Sequence, residues 1–360
     1  MHFSKFLSYL SVISVGVIFT VSETHAGPLV SRDGDDSVPF DPEVGLIFNA
    51  TVIAEAVLLG LIQGGLSRPQ MLTNTTIPNI SGTLMSFGKQ LSVLQTMLIE
   101  ELGVDTNLPN GGFPALDNCG LFAPVNDAAD FSESLVYITS AVLAAVQGYT
   151  LETLVEFSIS STAASTMLSM PLVLSDLQLF ASQMLFGPDG STQGDISPSF
   201  TPFEASRALT PFAGNCSFDG LDPTGQSTTF SSVPPVGLVS SSGQPLSPPI
   251  IIPFNSTLNI NTTQLRDSDN CKPDAPGLSC QIMALQEIQS FLIFGLPVSI
   301  TVLPINECIV TKPGVNNVYV TSDDTPLPTG LADRANMPID TICAGPTYVY
   351  VHESITLTLS

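Results

Sequence analysis

The apolar positions of this chain follow three successive rhythms. Near the N-terminus they form one unbroken run, Phe6–Val21 (FLSYLSVISVGVIFTV). From Asp41 to Phe186 they gather in long segments of helical length, and in Ile80–Leu102 they recur every three or four residues, the period of a helix with one buried face. Beyond Leu296 they come in short β-branched and aromatic bursts, which predict strands.

The helical stretch divides into four. Asp41-Pro42-Glu43 supplies a capping side chain and a proline for the first turn, and predicts a helix that runs to Leu66, where Ser67-Arg68-Pro69 stops it. Ile80–Leu102 predicts a second helix closed by Gly103, with Leu84, Phe87, Leu91, Leu94 and Leu98 on one face. A loop rich in Pro, Gly and Asn carries Cys119 and leads to a third helix over Asp127–Gly148. Leu151–Phe186 predicts a long fourth helix, bent or interrupted near Pro171. Four helices of roughly 22 residues or more, each about 33 Å long, suit a bundle spanning residues 41–187. Residues 188–280 are rich in Pro, Ser and Thr and predict a loop segment, with Cys216, Cys271 and Cys280. Within 281–360, Leu296–Leu303, Asn317–Thr321 and Thr347–Thr358 predict strands, with Cys308 and Cys343 beside them. The expected fold is mainly α: a four-helix bundle followed by a small disulfide-stapled β module.

Charge changes the picture at the N-terminus first. Lys5 precedes the apolar run and Thr24-His25-Ala26 follows it, the three parts of a secretory signal over residues 1–26. The run, about 16 residues, falls short of the roughly 20 that span a bilayer. Residues 27–40 (including SRDGDDSVP) predict a disordered acidic leader. The most apolar later stretch, Val44–Leu66, carries Glu55 near its middle and a glycine pair, Gly64-Gly65, and predicts a buried helix rather than a membrane span. The C-terminal SITLTLS is too short and polar for a GPI signal. A net charge of −23 excludes nucleic acid and anionic membranes as partners, because both require a basic surface. Between Gln90 and Ser206 there is no Lys, Arg or His at all.

Export makes disulfides and N-glycans available. Six cysteines fit three disulfides, whose connectivity spacing alone leaves open, although Cys271 and Cys280 suit a local bond. Asn-x-Ser/Thr sequons occur at Asn49, Asn74, Asn79, Asn215, Asn255 and Asn261. Asn74/Asn79 and Asn255/Asn261 cluster in polar loops, whereas Asn49 sits in a helical pattern, where a glycan is disfavoured.

The four apolar helices, the cysteine ahead of the third, and the stretch Pro202-Phe203-Glu204 through Thr210-Pro211-Phe212-Ala213-Gly214-Asn215-Cys216 resemble secreted fungal ferritin-like proteins of the late-sexual-development, stress-response and desiccation-related group. Cys308–Val351, with Ala344-Gly345-Pro346 before a β stretch, is similar to the β tail of that group. The resemblance implies a ferritin-like bundle and favours pairing Cys119 with Cys216, which would leave Cys271–Cys280 and Cys308–Cys343. It also implies a di-metal site of carboxylates and Glu-x-x-His pairs, oxygen and imidazole being suited to iron or manganese.

The matching positions lack those ligands. The family's Leu-Glu-His-Leu-Glu falls on Ala54-Glu55-Ala56-Val57-Leu58, so Glu55 alone is retained. The second helix offers Phe87 and Gln90, the third Tyr137 or Thr139, and the fourth Thr162-Ala163-Ala164-Ser165-Thr166. The histidine supply agrees: His2 and His25 leave with the signal, and His352 belongs to the last strand. Glu55 is then expected to be a buried carboxyl, protonated or hydrogen-bonded to Thr139, Ser161 or Thr162; metal contact or proton handling is the sharper alternative. Glu152 and Glu156, one turn apart, could do acid/base work, but a solvated helix face explains them. His352 predicts an exposed strand residue rather than part of a triad. No cysteine-pair metal spacing or phosphate loop occurs.

The expectation is therefore a secreted, extracellular or cell-wall protein without cofactor, catalytic residues or metal ligands. It would be structural or interaction-based, with matrix components as partners. Two alternatives stand beside it: a carrier holding a small apolar ligand where Leu58, Phe87 and Ala163 replace polar ligands, and a ferritin-like oxidoreductase with an atypical metal site.

Overall fold

The computed structural model describes residues 42–72, 77–101, 125–157, 159–187, 198–214, 218, 230–273, 275, 277–285 and 298–352. The leader segments 1–26 and 27–40, Cys119, Cys216, Asn74 and Asn215 lie outside the described residues.

Four long helices come first: α1 (Pro42–Leu66), α2 (Ile80–Glu101), α3 (Ala128–Glu156) and α4 (Ser161–Phe186). Helix α1 packs on α2 and α3, and α4 packs on the same two. Helix α1 is apolar on nearly every side, so it is buried almost throughout. Helix α2 is one-sided: Leu84, Leu91 and Leu98 are fully buried, Phe87 and Leu94 partly, as its periodicity predicts. Gln95 donates to the Val52 carbonyl at 2.9 Å and ties α2 to α1.

The boundary between α3 and α4 differs from expectation. Asp127 caps α3, accepting from the Ala129 and Asp130 amides. The helix then runs through Gly148 to Glu156, because Gly148 is a packing glycine, not a stop. The Phe200 backbone passes so close that a Cβ there would lie 1.8 Å from the Phe200 carbonyl oxygen. Phe200 N donates to the Ala144 carbonyl at 2.9 Å in the same contact. The break falls between Glu156 and Ser161, and Ser160 caps α4. Pro171 does not interrupt α4. Its ring removes the donor that would bond the Met167 carbonyl, and the Thr150 hydroxyl of α3 donates to that carbonyl at 3.1 Å instead.

The stretch 188–280 is not all loop. It contains α5 (Pro202–Leu209), β1 (Leu238–Val239), β2 (Ile251–Pro253), β3 (Asn259–Ile260) and the start of β4 (Ser279–Leu285). A full capping box, Thr201 with Glu204, starts α5. With β5 (Val298–Pro304), β6 (Gly314–Thr321), the short helix α6 (Leu331–Ala335) and β7 (Ile342–His352), a five-stranded sheet forms in the order β2-β7-β6-β4-β5. All its pairs are antiparallel except β2 with β7. Strand β4 escapes a periodicity reading because Ser279, Cys280 and Gln281 interrupt its apolar run, yet it is buried on both faces from Ser279 to Ala284. At Gly345 the backbone φ is 118° and a Cβ would meet the Val318 carbonyl at 2.8 Å, so the approach of β7 to β6 requires glycine.

One apolar core runs from α1 to β7. Tyr137 of α3 and Tyr348 of β7 sit 4.3 Å apart, edge to face, and each hydroxyl donates to the other's carbonyl, at 3.1 and 3.2 Å. The reading that no segment suits a bilayer is corrected here. Glu43–Leu66, Ala128–Leu154 and Ser161–Phe186 are helices long and apolar enough to cross a membrane by length and composition. One central glutamate costs about 2.5–3.5 kcal/mol on insertion scales, less than the flanking aliphatic residues return. In this fold most of the first two helices is buried against other elements, and less than half of the third.

The expected pairings Cys271–Cys280 and Cys308–Cys343 are also corrected. Cys271 bonds Cys343, and Cys280 bonds Cys308. Cys280 lies inside β4, paired with Leu303 and Val320, so its side chain emerges on a sheet face that Cys308 covers and the short-range partner does not.

Candidate functional site

Glu55 is the acid that the resemblance singles out, and its surroundings decide its chemistry. It lies mid-way along α1 between Ala54 and Ala56, with 0% of its surface exposed. Neither carboxyl oxygen has a hydrogen-bond partner among the described residues. Thr139 is buried too, but its hydroxyl is likewise unpartnered, and Ser161 and Thr162 sit exposed at the start of α4. The expected hydrogen bonds are therefore not made. Burial pushes the Glu55 carboxyl well above the usual carboxylate range, which leaves it a neutral acid.

The positions that the resemblance assigns to further ligands hold packed side chains or groups bonded elsewhere. Leu58 and Ala163 are buried, and Phe87 packs its ring 6.0 Å from Phe180. Gln90 is exposed and bonds Ser86, while the Thr166 hydroxyl is turned back on the Thr162 carbonyl at 2.8 Å. Ala164 is half-buried and Ser165 exposed. Tyr137 is committed to Tyr348. Among the described residues, no three His, Cys, Asp or Glu side chains gather in metal-binding range. A di-metal centre needs several carboxylates and two imidazoles, so the donor set does not fit one.

His352 is half-buried rather than exposed, stacked on Phe186 of α4 with ring centroids 4.9 Å apart. Glu152 is half-buried; Glu156 ends α3. Next to Phe131, a void lined by Leu61, Gly64, Gly65, Arg68 and Met71 is no larger than a water molecule. Asn49 is half-buried in α1, whereas Asn79 and Asn255 are exposed with left-handed backbones (φ 57° and 60°). Asn261 is half-buried and accepts from the Thr263 hydroxyl at 2.7 Å.

Sequence reasoning missed a second buried acid. Glu204 of α5, 0% exposed, accepts from the Tyr319 hydroxyl at 2.7 Å and from the Thr201 amide at 2.8 Å. Arg334 of α6, 1% exposed, lies 3.6 Å from the same carboxylate and donates to the Ser199 carbonyl. Burial and the neighbouring Glu204 both push the Tyr319 hydroxyl well above its usual range, so it stays protonated and donates. The capping-box spacing Thr201-x-x-Glu204 was the available signal for Glu204; no local pattern marks Arg334 or Tyr319. Every polar end here faces protein, so the cluster joins α5, α6 and the sheet.

Compared with models of known protein families, the chain matches none. No curated protein matches it at a significant level either.

Proposed function

We propose that this chain is a secreted ferritin-like protein that has lost its di-metal centre and acts without catalysis, as a structural or interaction protein of the cell surface or extracellular matrix. In this reading the four long helices form a ferritin-like four-helix bundle. The observation that carries it is Glu55. Among the described residues of those helices it is the one fully buried carboxyl and it is unpartnered; Leu58, Ala163 and Phe87 stand at the positions that the resemblance assigns to further ligands. A lone neutral acid among apolar side chains offers no charge to a cation and no second proton acceptor.

The test is elemental analysis of the full-length secreted protein, together with ferroxidase and peroxide-consumption assays after incubation with iron or manganese. Metal far below one ion per chain and background activity are expected. Stoichiometric iron or manganese, about one or two ions per chain, with turnover would replace this reading by a metal-dependent oxidoreductase with an atypical site.

A further inference from the structure

The two edges of the five-stranded sheet are built differently. At one edge β2 has three residues, the last of them Pro253, and both features discourage a further strand. At the other edge β5 has seven (VSITVLP) and none of them is charged. Its register against β4 is unbroken from Val298–Leu285 to Pro304–Ser279, without the irregularities that interrupt β6 and β7 near Val320. Proline comes only at its last position. Among the described residues no strand pairs with its outer side. Lysine, proline within the strand, bulges and shortness are how proteins blunt an exposed edge, and β5 has none of them before Pro304.

We propose that β5 is a self-association edge, at which two copies of this chain pair antiparallel about Thr301 and join their sheets into one. A second copy is favoured by two properties of the strand. First, the chain carries a net charge of −23, so most of its surface repels another copy, whereas β5 brings no charge to the contact. Second, β5 is complementary to itself when reversed. In the register that uses all seven residues, Ile300 faces Val302 of the partner subunit, Ser299 faces Leu303 of the partner subunit, and Thr301 faces its own equivalent. β-Branched and Thr–Thr pairs are favourable across antiparallel strands, and Pro304 falls at the end of the ladder, where its missing N–H matters least. The pairing also extends the two apolar layers. Ile300 is half-buried against the cluster of Met283, Tyr319 and Phe203, and Leu303 is half-buried against the core on the opposite face.

The experiment is sedimentation velocity on the full-length secreted protein over a range of concentrations, with three variants. The wild type is expected to form dimers. Thr301→Lys and Thr301→Glu, each placing like charges opposite one another, are expected to lose the dimer, and an equimolar mixture of the two to regain it. Thr301→Cys, a change of small volume, is expected to give a dimer that survives denaturant and dissolves on reduction. A wild type that stays monomeric at every concentration overturns the proposal, as do charged variants that remain dimeric. A mixture that fails to dimerise although each variant keeps the wild-type circular dichroism overturns it as well. Should either charged variant fail to fold, the Thr301→Cys cross-link decides, and its absence counts against β5.

Discussion

Glu55 and Glu204 are both fully buried acids, yet their surroundings give them opposite roles. Glu204 has a tyrosine hydroxyl, a backbone amide and a guanidinium around it, so both of its oxygens are partnered. Glu55 has apolar neighbours and no partner, so protonation is how it meets burial. A carboxyl whose folded-state pKa lies above its unfolded value binds more protons when folded. Stability is then greatest below the ordinary value of about 4.5 and falls as pH rises towards the folded-state value. Glu55→Met, which keeps the length of the side chain and removes the acid, is expected to be more stable than the wild type at pH 7 by about 1–3 kcal/mol. The gap should narrow as the pH falls to 4. Urea unfolding at several pH values measures this, and a variant less stable than the wild type at pH 7 would mean that Glu55 is charged and paired. That Glu55 has no imidazole beside it in the helical stretch was legible in the sequence, because the three histidines, His2, His25 and His352, all lie outside residues 41–187. That it also lacks hydroxyl partners was not legible, since side-chain distances between helices are set by packing.

At the scale of elements, the long periodic helices were legible and their interruptions were not. Glycine and proline are local signals for a break, but here each is answered from another element. Gly148 makes room for the Phe200 backbone, and the carbonyl freed by Pro171 is bonded by Thr150. The distinction is open to measurement with two alanine substitutions. Gly148→Ala is expected to destabilise the protein by about 1–3 kcal/mol or more through overpacking, although alanine is the better helix former. Gly88→Ala in α2, where the nearest atom would be Ile62 Cγ2 at an ordinary 3.5 Å, is expected to stabilise by up to about 1 kcal/mol. Equal effects of the two changes in thermal unfolding would show that Gly148 has no special packing role. Strand β4 was overlooked for a related reason. A central strand buried on both faces needs no polar–apolar alternation, so only its neighbours β5 and β6 reveal it.

For the whole molecule, the disulfides hold distant parts of the β region together. Cys271–Cys343 spans 72 residues and Cys280–Cys308 spans 28. The chain-entropy account assigns about 3.6 kcal/mol to the shorter loop and about 4.4 kcal/mol to the longer one. Cys271→Ala with Cys343→Ala is accordingly expected to lower stability by about that amount, read from denaturant unfolding. Non-reducing peptide mapping should recover the 271–343 and 280–308 peptides as linked pairs; linkage of 271 to 280 would refute the observed connectivity.

By itself the sequence determined the order of four long helices before a β region and the scarcity of nitrogen donors. Both depend on composition and short-range periodicity, which folding does not alter. The tertiary structure decided which cysteines meet, whether Gly148 and Pro171 end a helix, how Glu204 finds Tyr319 and Arg334, and which strand is left at the edge of the sheet. Each of these turns on a contact between residues far apart in the chain, and such contacts exist only once the helices and the sheet have packed around a common core.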